Sequence, residues 1–418
     1  MRAITAAALI ASFLLYPWPH YAQERDTVLA FHNVDVFDGS RMVRRTTVLV
    51  AGGMIRAVGR DIPIPSTAQV INGEGKTLLP GFFDSHTHLG ETRGEQFLKD
   101  ALDFGVTTEL EMWGSPASRA LRKKADVDVA MADLRTAAGI TVPKGHPTQM
   151  GGSPIPTLSP GDDIQAFVDA RIAEGSDYIK IIYEHAYPTL TKQQIEEVVA
   201  AAHRRNKLVV IHISNQNDAR DAIEAGVDGL AHIFAESPPE PAFAEFAAQH
   251  HVFVIATLAT IESVTASSNK PWWQEIPSLA PRITPSMRSS LEMKFRPGFG
   301  EKEKLANALA AVSALHRAGV VILAGTDVPA PGTAHGLSLH RELELLVRAG
   351  LTPVEALTAA TFAPARAFGF LDRGRIAEGL RADLVLVNGD PTASITTTRE
   401  IAGVWKLGIQ HPLSGAEK

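Results

Sequence analysis

The spacing of apolar positions changes period twice along this chain. Through residues 28–79 hydrophobic and polar residues alternate, as in half-buried strands. Phe31-His32-Asn33-Val34-Asp35-Val36-Phe37 runs into Asp38-Gly39, a hairpin signal. Thr47-Val48-Leu49-Val50 runs into Gly52-Gly53, and Met54-Ile55-Arg56-Ala57-Val58 follows as a third strand. The same character returns at the other end, in Gly374-Arg375-Ile376, in Ala382-Asp383-Leu384-Val385-Leu386-Val387 and in residues 401–408. Between the ends, continuous apolar runs closed by a polar residue alternate with amphipathic helices. The runs are residues 81–84, 105–108, 140–142, 178–182, 208–212, 229–232, 252–257 and 320–327. Strands buried on both faces read this way. Helical periodicity in 193–204 and 217–225 ends each time at an Asn or Gly stop.

Eight strand-then-helix units predict an α/β fold, a (β/α)8 TIM barrel over residues 81–369. The strand-rich ends, 27–80 and 370–414, predict one small discontinuous β-sandwich domain. Residues 268–299, rich in Pro, Trp and Ser, interrupt the last part of the barrel, as a lid over its mouth or as an insertion on its rim.

Composition narrows the function classes. The chain has 418 residues, 45% hydrophobic and 21% charged, an ordinary globular balance with ample length for a large core. Its formal net charge is −6 and it has no basic patch, which argues against nucleic acid as a partner. The absence of cysteine excludes disulfides, thiolate metal sites, a cysteine nucleophile and a lipoprotein anchor. Any metal must then be held by nitrogen and oxygen, which directs attention to the 15 histidines. Residues 1–22 read as a signal peptide, with Arg2 ahead of an apolar run over 3–16 too short to span a membrane. The mature protein is expected to be periplasmic or secreted, with no stable membrane anchor; the alternative is an uncleaved anchor.

Catalytic groups of such barrels sit at the C-terminal ends of strands. His86 and His88, in Phe83-Asp84-Ser85-His86-Thr87-His88, are two apart on a strand and face one way. Alone they are as easily surface or core histidines. Lys180 lies inside an apolar strand, where an amine must be paired or chemically altered. Carboxylation by CO2 would give a carbamate able to bridge two cations; pairing with a carboxylate, or a Schiff-base role, would also account for it. His212 and His232 end the next two strands, and a neutral imidazole suits zinc and similar ions. Asp327 ends the last strand in Ala324-Gly325-Thr326-Asp327, as metal ligand and proton acceptor or as a helix cap. Each is weak singly. In the order His-x-His, Lys, His, His, Asp, with helices between, they read as one binuclear metal site.

These residues carry a resemblance. The chain resembles the amidohydrolase superfamily over nearly all its length after the signal segment, and within it the imidazolonepropionase-like and Xaa-Pro dipeptidase-like branch. The motifs are Leu79-Pro80-Gly81-Phe82-Phe83-Asp84-Ser85-His86-Thr87-His88, Tyr178-Ile179-Lys180-Ile181, Gly325-Thr326-Asp327 and Gly379-Leu380-Arg381-Ala382-Asp383-Leu384-Val385. The resemblance implies two divalent ions, most often zinc. His86, His88 and Asp327 would hold one, His212 and His232 the other, with N6-carboxylated Lys180 and a hydroxide bridging them. It also places His146, in Lys144-Gly145-His146-Pro147, near the scissile carbonyl as a catalytic hydrogen-bond donor. Here Lys144 and Pro147 depart from the Gly-rich loop usual in the family.

The expected activity is cleavage of an amide C–N bond in a small molecule such as an N-acyl amino acid, dipeptide or aryl amide. Asp327 would take the proton of the attacking water and pass it to the leaving nitrogen. The same site could open a lactone, ester or cyclic imide. A non-catalytic binding barrel is a third reading, against which the intact ligand set stands. Tyr183, three residues past Lys180, reads as a substrate contact or as a core residue; His146, Arg119 and Lys144 are further candidate substrate contacts. Relatives of this kind are often homo-oligomers.

Overall fold

The computed structural model describes residues 27–149, 155–265, 271–295 and 302–415. The signal segment 1–22 lies outside them. The N-terminal strands are β1 (Leu29–Phe37), β2 (Met42–Ala51), β3 (Met54–Gly59), β4 (Gln69–Asn72) and β5 (Lys76–Pro80). The barrel strands are β6 (Phe82–Thr87), β7 (Val106–Glu111), β8 (Asp133–Ile140), β9 (Tyr178–Ile182), β10 (Val209–His212), β11 (Gly229–Ala231), β12 (Phe253–Ile255) and β13 (Val321–Leu323). Strands β14 (Leu384–Asn388), β15 (Ile401–Lys406) and β16 (Ile409–His411) close the chain.

Both chain ends enter one sheet, ordered β16-β15-β14-β5-β1-β2-β3, with β4 also paired to β1. The join is the antiparallel pair of β5 with β14, where Pro80 faces Leu384 and Lys76 faces Asn388. The sandwich expected from the sequence is this one sheet curled over itself. Phe31 of β1 meets Trp405 of β15 edge to face at 4.8 Å, although the two strands are not neighbours. Val48, Ile55, Leu78 and Leu384 fill the fold between them.

The barrel strands follow chain order from β6 to β13, each pair parallel. The seam between last and first is laced by Ser85 N donating to Ala324 O (3.0 Å), Asp327 N to His86 O (2.7 Å) and His88 N to Val328 O (2.7 Å). Two apolar layers follow from the period-two alternation. Tyr178, Val210, Phe253 and Leu323 point inward, where Phe368 and Phe370 plug the floor. Ile179, Ile181, Ile211 and Val254 point outward against the helices. The helix after β9, Lys192–His203, starts on a capping box: Thr191 Oγ1 accepts from Gln194 N, and Gln194 Oε1 accepts from Thr191 N.

The structure corrects one strand. The sequence reading placed the third barrel strand at 140–142, whereas β8 is Asp133–Ile140. Its opening residues are polar because Asp133 is fully buried among Arg373, Arg381 and Lys406. Such a charge reads as loop in a search for apolar runs. The described part of the 268–299 segment packs Trp273, Leu279, Ile283 and Met287 against Phe104 and Leu337. Those contacts lie at the outer helices, so this part is a packed flank; the remainder of the segment lies outside the described residues.

Candidate active site

His86, His88, His212 and His232 sit at or just past the ends of their strands, Lys180 lies within β9, and Asp327 follows β13 by four residues. His86 is 1% exposed, while the side chain of His88 is 37% exposed and opens to the barrel mouth. Asp327 brings one carboxylate oxygen to both: Oδ1 is 3.2 Å from His86 Nε2 and 3.0 Å from His88 Nε2. The donor atoms of His86, His232 and Asp327 all fall within 4.8 Å of one another. His232 is turned by Thr257, whose Oγ1 lies 2.9 Å from Nδ1, which leaves Nε2 for the site. The His86 and His232 rings are 4.5 Å apart, and His232 and His212 are 4.7 Å apart. A second group, His146, Glu184 and His212, also presents donor atoms within 4.8 Å of one another.

The Gly325-Thr326-Asp327 motif has a physical reading. A Cβ at Gly325 would stand 2.4 Å from Ile255 Cγ2 and 2.9 Å from His86 N, so only glycine lets β13 approach β6 this closely. Thr326 gives its backbone N–H to Asp84 Oδ1 (3.0 Å) and its hydroxyl to Asp84 Oδ2 (2.5 Å). Asp84 Oδ1 also accepts from His86 N at 3.3 Å. One buried carboxylate thus fixes the two segments that carry His86 and Asp327. Asp84→Ala is expected to lower divalent-metal affinity by about 10–100-fold, the usual effect of removing an orienting partner, with the barrel still folded. Calorimetric metal titration measures this; wild-type affinity in the variant would show that Asp84 does not position the site. His232 and Asp327 themselves hold left-handed backbone, φ 78° and 59°.

Burial keeps the imidazoles of His86, His212 and His232 neutral. Burial first, then the charge of Lys180, lowers His86 well below the ordinary imidazole range. Burial likewise lowers His232 and His212. Burial alone would raise Asp327, but the hydrogen bond from His88, together with His232 and Lys180, holds it at about 2. The group around Asp327 therefore offers imidazole lone pairs and one carboxylate anion at neutral pH. Lys180 is 1% exposed, its Nζ has no hydrogen-bond partner, and burial brings it down to about 7.

His146 opens the short turn His146–Gln149 after β8. Gly145 allows the turn, since a Cβ there would meet Thr141 Oγ1 at 2.3 Å. The His146 ring lies 5.8 Å from that of His212 and stacks on Tyr187 at 4.9 Å. Tyr183 is corrected. It is 3% exposed and belongs to the outer core, with its hydroxyl on Asp221 Oδ2 at 3.3 Å. Alternation explains this: Lys180 faces the barrel interior, so the odd-numbered Tyr183 faces the helices. Arg119 is engaged with Glu174 at 3.3 Å and Gly114 O at 2.7 Å, within the helix layer. Lys144 is exposed.

Sequence reasoning missed Glu184, Tyr187, Ser214 and Asp84. The period of two that takes Tyr183 outward takes Glu184 inward, so that residue was recoverable. Burial would raise the Glu184 carboxyl, but His212, the Ser214 hydroxyl and the Ala186 amide hold it at about 2.

A sequence profile described as the amidohydrolase family matches residues 77–410. The chain belongs to the amidohydrolase family. It is accordingly an enzyme, a hydrolase, and family members generally use metal ions in the active site. This amidohydrolase is 23% identical over 433 residues to ochratoxinase of Aspergillus niger, covering 88% of this chain and 82% of that one. It is 24% identical over 417 residues to imidazolonepropionase of Deinococcus radiodurans, covering 88% and 92%. Among solved structures, a Xaa-Pro dipeptidase with methionine bound in the active site superposes with a TM-score of 0.74 at 20% identity, over 92% of this chain and 100% of that one. That likeness establishes the shared fold.

Proposed function

We propose that this amidohydrolase cleaves an amide C–N bond of a small molecule, an N-acyl amino acid, dipeptide or aryl amide, using two divalent ions, zinc by preference. The observation that carries the reading is Lys180. Its buried amine has no hydrogen-bond partner, and its charge reaches His86, His212, His232 and Asp327. A cation beside neutral imidazoles is misplaced as an amine and well placed as a carbamate, whose two oxygens would face two ions. The donor set is nitrogen and oxygen throughout, as zinc and similar ions accept. His86, His88 and Asp327 would hold one ion, His212 and His232 the other.

Bound there, the ions would supply an ionised water at neutral pH and polarise the substrate carbonyl. The remaining work falls to the chain. Asp327, an anion at neutral pH, accepts a proton at Oδ from the attacking water and returns it to the leaving nitrogen. Thr257 keeps the His232 tautomer that turns Nε2 to the site. His146 stands at the mouth beside His212 and donates to the carbonyl oxygen as charge develops on it.

The relatives support an amide substrate, since their names include ochratoxinase, imidazolonepropionase and Xaa-Pro dipeptidase. Among the described residues no helix is long and apolar enough to cross a membrane. With residues 1–22 read as a signal peptide, we place the mature enzyme in the periplasm or outside the cell, as a homo-oligomer. The test is a hydrolysis panel of N-acyl amino acids, Xaa-Pro dipeptides and aryl amides beside lactones, esters and cyclic imides, with metal analysis of the same preparation. Amide turnover with close to two metal equivalents is expected. Lactone or ester turnover alone would overturn the bond assignment, and full activity without metal would overturn the site.

Lys180→Ala is expected to lose more than the roughly 10–100-fold that outer-shell changes cost, and to recover part of it with a short-chain carboxylic acid. Carbamate formation needs the neutral amine. Reactivation of metal-stripped enzyme by bicarbonate and zinc should therefore quicken as pH rises through about 7, where Lys180 loses its proton. A flat pH profile, with full activity in the alanine variant, would leave Lys180 a structural residue.

A further inference from the structure

Glu184 stands beside His212 without a part in either ligand set. Lys180, Ile182 and Glu184 occupy alternate positions at the end of β9, so the carboxylate is carried to the side of the barrel that holds Lys180. Its Oε2 lies 3.6 Å from His212 Nε2. That is longer than a hydrogen bond. It does match the distance of roughly 3.4 Å between neighbouring corners of a tetrahedron whose ligands stand about 2.0–2.2 Å from zinc. The neighbouring triad is spaced the same way, with Asp327 Oδ1 at 3.2 and 3.0 Å from the two imidazole nitrogens of His86 and His88.

Both Glu184 oxygens are already fixed from outside. Oε1 accepts from Ala186 N at 3.1 Å, and Oε2 accepts from the Ser214 hydroxyl. Ser214 thus holds the carboxylate beside the imidazole, with its Oγ 3.5 Å from His212 Nε2. Outer partners arranged this way are the mark of a preorganised ligand. An independent sign points to the same end of the barrel: the buried Lys180 Nζ, 1% exposed and without a hydrogen-bond partner.

We propose that Glu184 is a carboxylate ligand of the second divalent ion, beside His212. The ion at the mouth then gains an oxygen ligand that comes from the Tyr183-Glu184-His185 turn of this chain. Added negative charge tightens its hold on that ion, and an oxygen-richer set widens tolerance toward manganese and cobalt.

The inference rests on the two-ion reading, and the test separates them. Metal-stripped full-length enzyme is titrated with Co2+ in the presence of bicarbonate, reading bound metal and the visible Co2+ absorption, for wild type, Glu184→Gln and Glu184→Asp. Wild type is expected to take two equivalents. Glu184→Gln should keep the first, bind the second at least about 10-fold more weakly, and lose the second equivalent's part of the spectrum. Glu184→Asp, which keeps a carboxylate, should restore part of both and shows that the position tolerates change. A single equivalent in wild type would overturn the two-ion reading and this assignment with it. Two equivalents in Glu184→Gln at wild-type affinity, with an unchanged spectrum, would overturn the assignment alone. That result combined with a raised KM only for substrates bearing an ammonium group would make Glu184 a substrate contact instead.

Discussion

Asp327→Asn is expected to lower kcat by about 10²–10⁴-fold, the range for loss of a positioned proton-transfer group, while much of the metal is retained. The amide keeps an oxygen in place of Oδ1, which lies 3.2 and 3.0 Å from His86 and His88, so a coordinating atom survives. What the amide cannot do is take up a proton. The carboxylate can, because the hydrogen bond from His88 keeps it ionised at neutral pH despite its burial. KM should change little, since the loss falls on the transition state rather than on substrate binding. Steady-state kinetics with metal analysis of the same sample decide the matter. An unchanged kcat would remove Asp327 from proton transfer, and a metal-free variant would make it a ligand before anything else.

The largest stability effect is expected far from the mouth. Asp133, at the N-terminal end of β8, is fully buried and pairs with Arg381 Nη1 at 2.8 Å, Lys406 Nζ at 2.6 Å and Arg373. Asp383 meets Arg381 Nη2 at 2.8 Å, and Asp372 meets Arg373 Nε at 2.9 Å. Lys406 Nζ also donates to the carbonyls of Ala125 and Met131, each at 2.7 Å. Three carboxylates thus balance three cations at the junction of barrel and curled sheet. Asp133→Ala leaves three buried cations against two carboxylates, with Lys406 deprived of its carboxylate partner, and should cost about 3–5 kcal/mol. Urea denaturation measures it. Enzyme that remains folded should keep near-wild-type kcat, because the ligands lie at the opposite ends of the strands. A loss below about 1 kcal/mol would mean that water or relaxation satisfies the cluster.

What could be read from the sequence, and what could not, follows from how far each signal reaches along the chain. A polar residue closing an apolar run is a local pattern, and it led to His86, His88, Lys180, His212, His232 and Asp327, which the fold brings to one end of the barrel. For Tyr183 the sequence left substrate contact and core packing open; strand parity decides for the core, and the same parity rule would have found Glu184. Asp84 was passed over because its partner Thr326 is 242 residues away. The Asp133 cluster joins four separate stretches of chain, so no single window shows that a strand can begin with a buried charge. The curled sheet was foreseeable as strands, but the pairing of β5 with β14 that joins the chain ends depends on register, which sequence alone specifies weakly.

The left-handed backbone at His232 and Asp327 bears on how this enzyme would respond to engineering. Such a conformation costs a residue with a side chain roughly 1–3 kcal/mol, and glycine almost nothing. A library sorted only for yield or heat tolerance should therefore drift toward glycine at both positions. The survivors would be sturdier barrels that have stopped being enzymes. Any search for a hardier form has to score turnover in the same round.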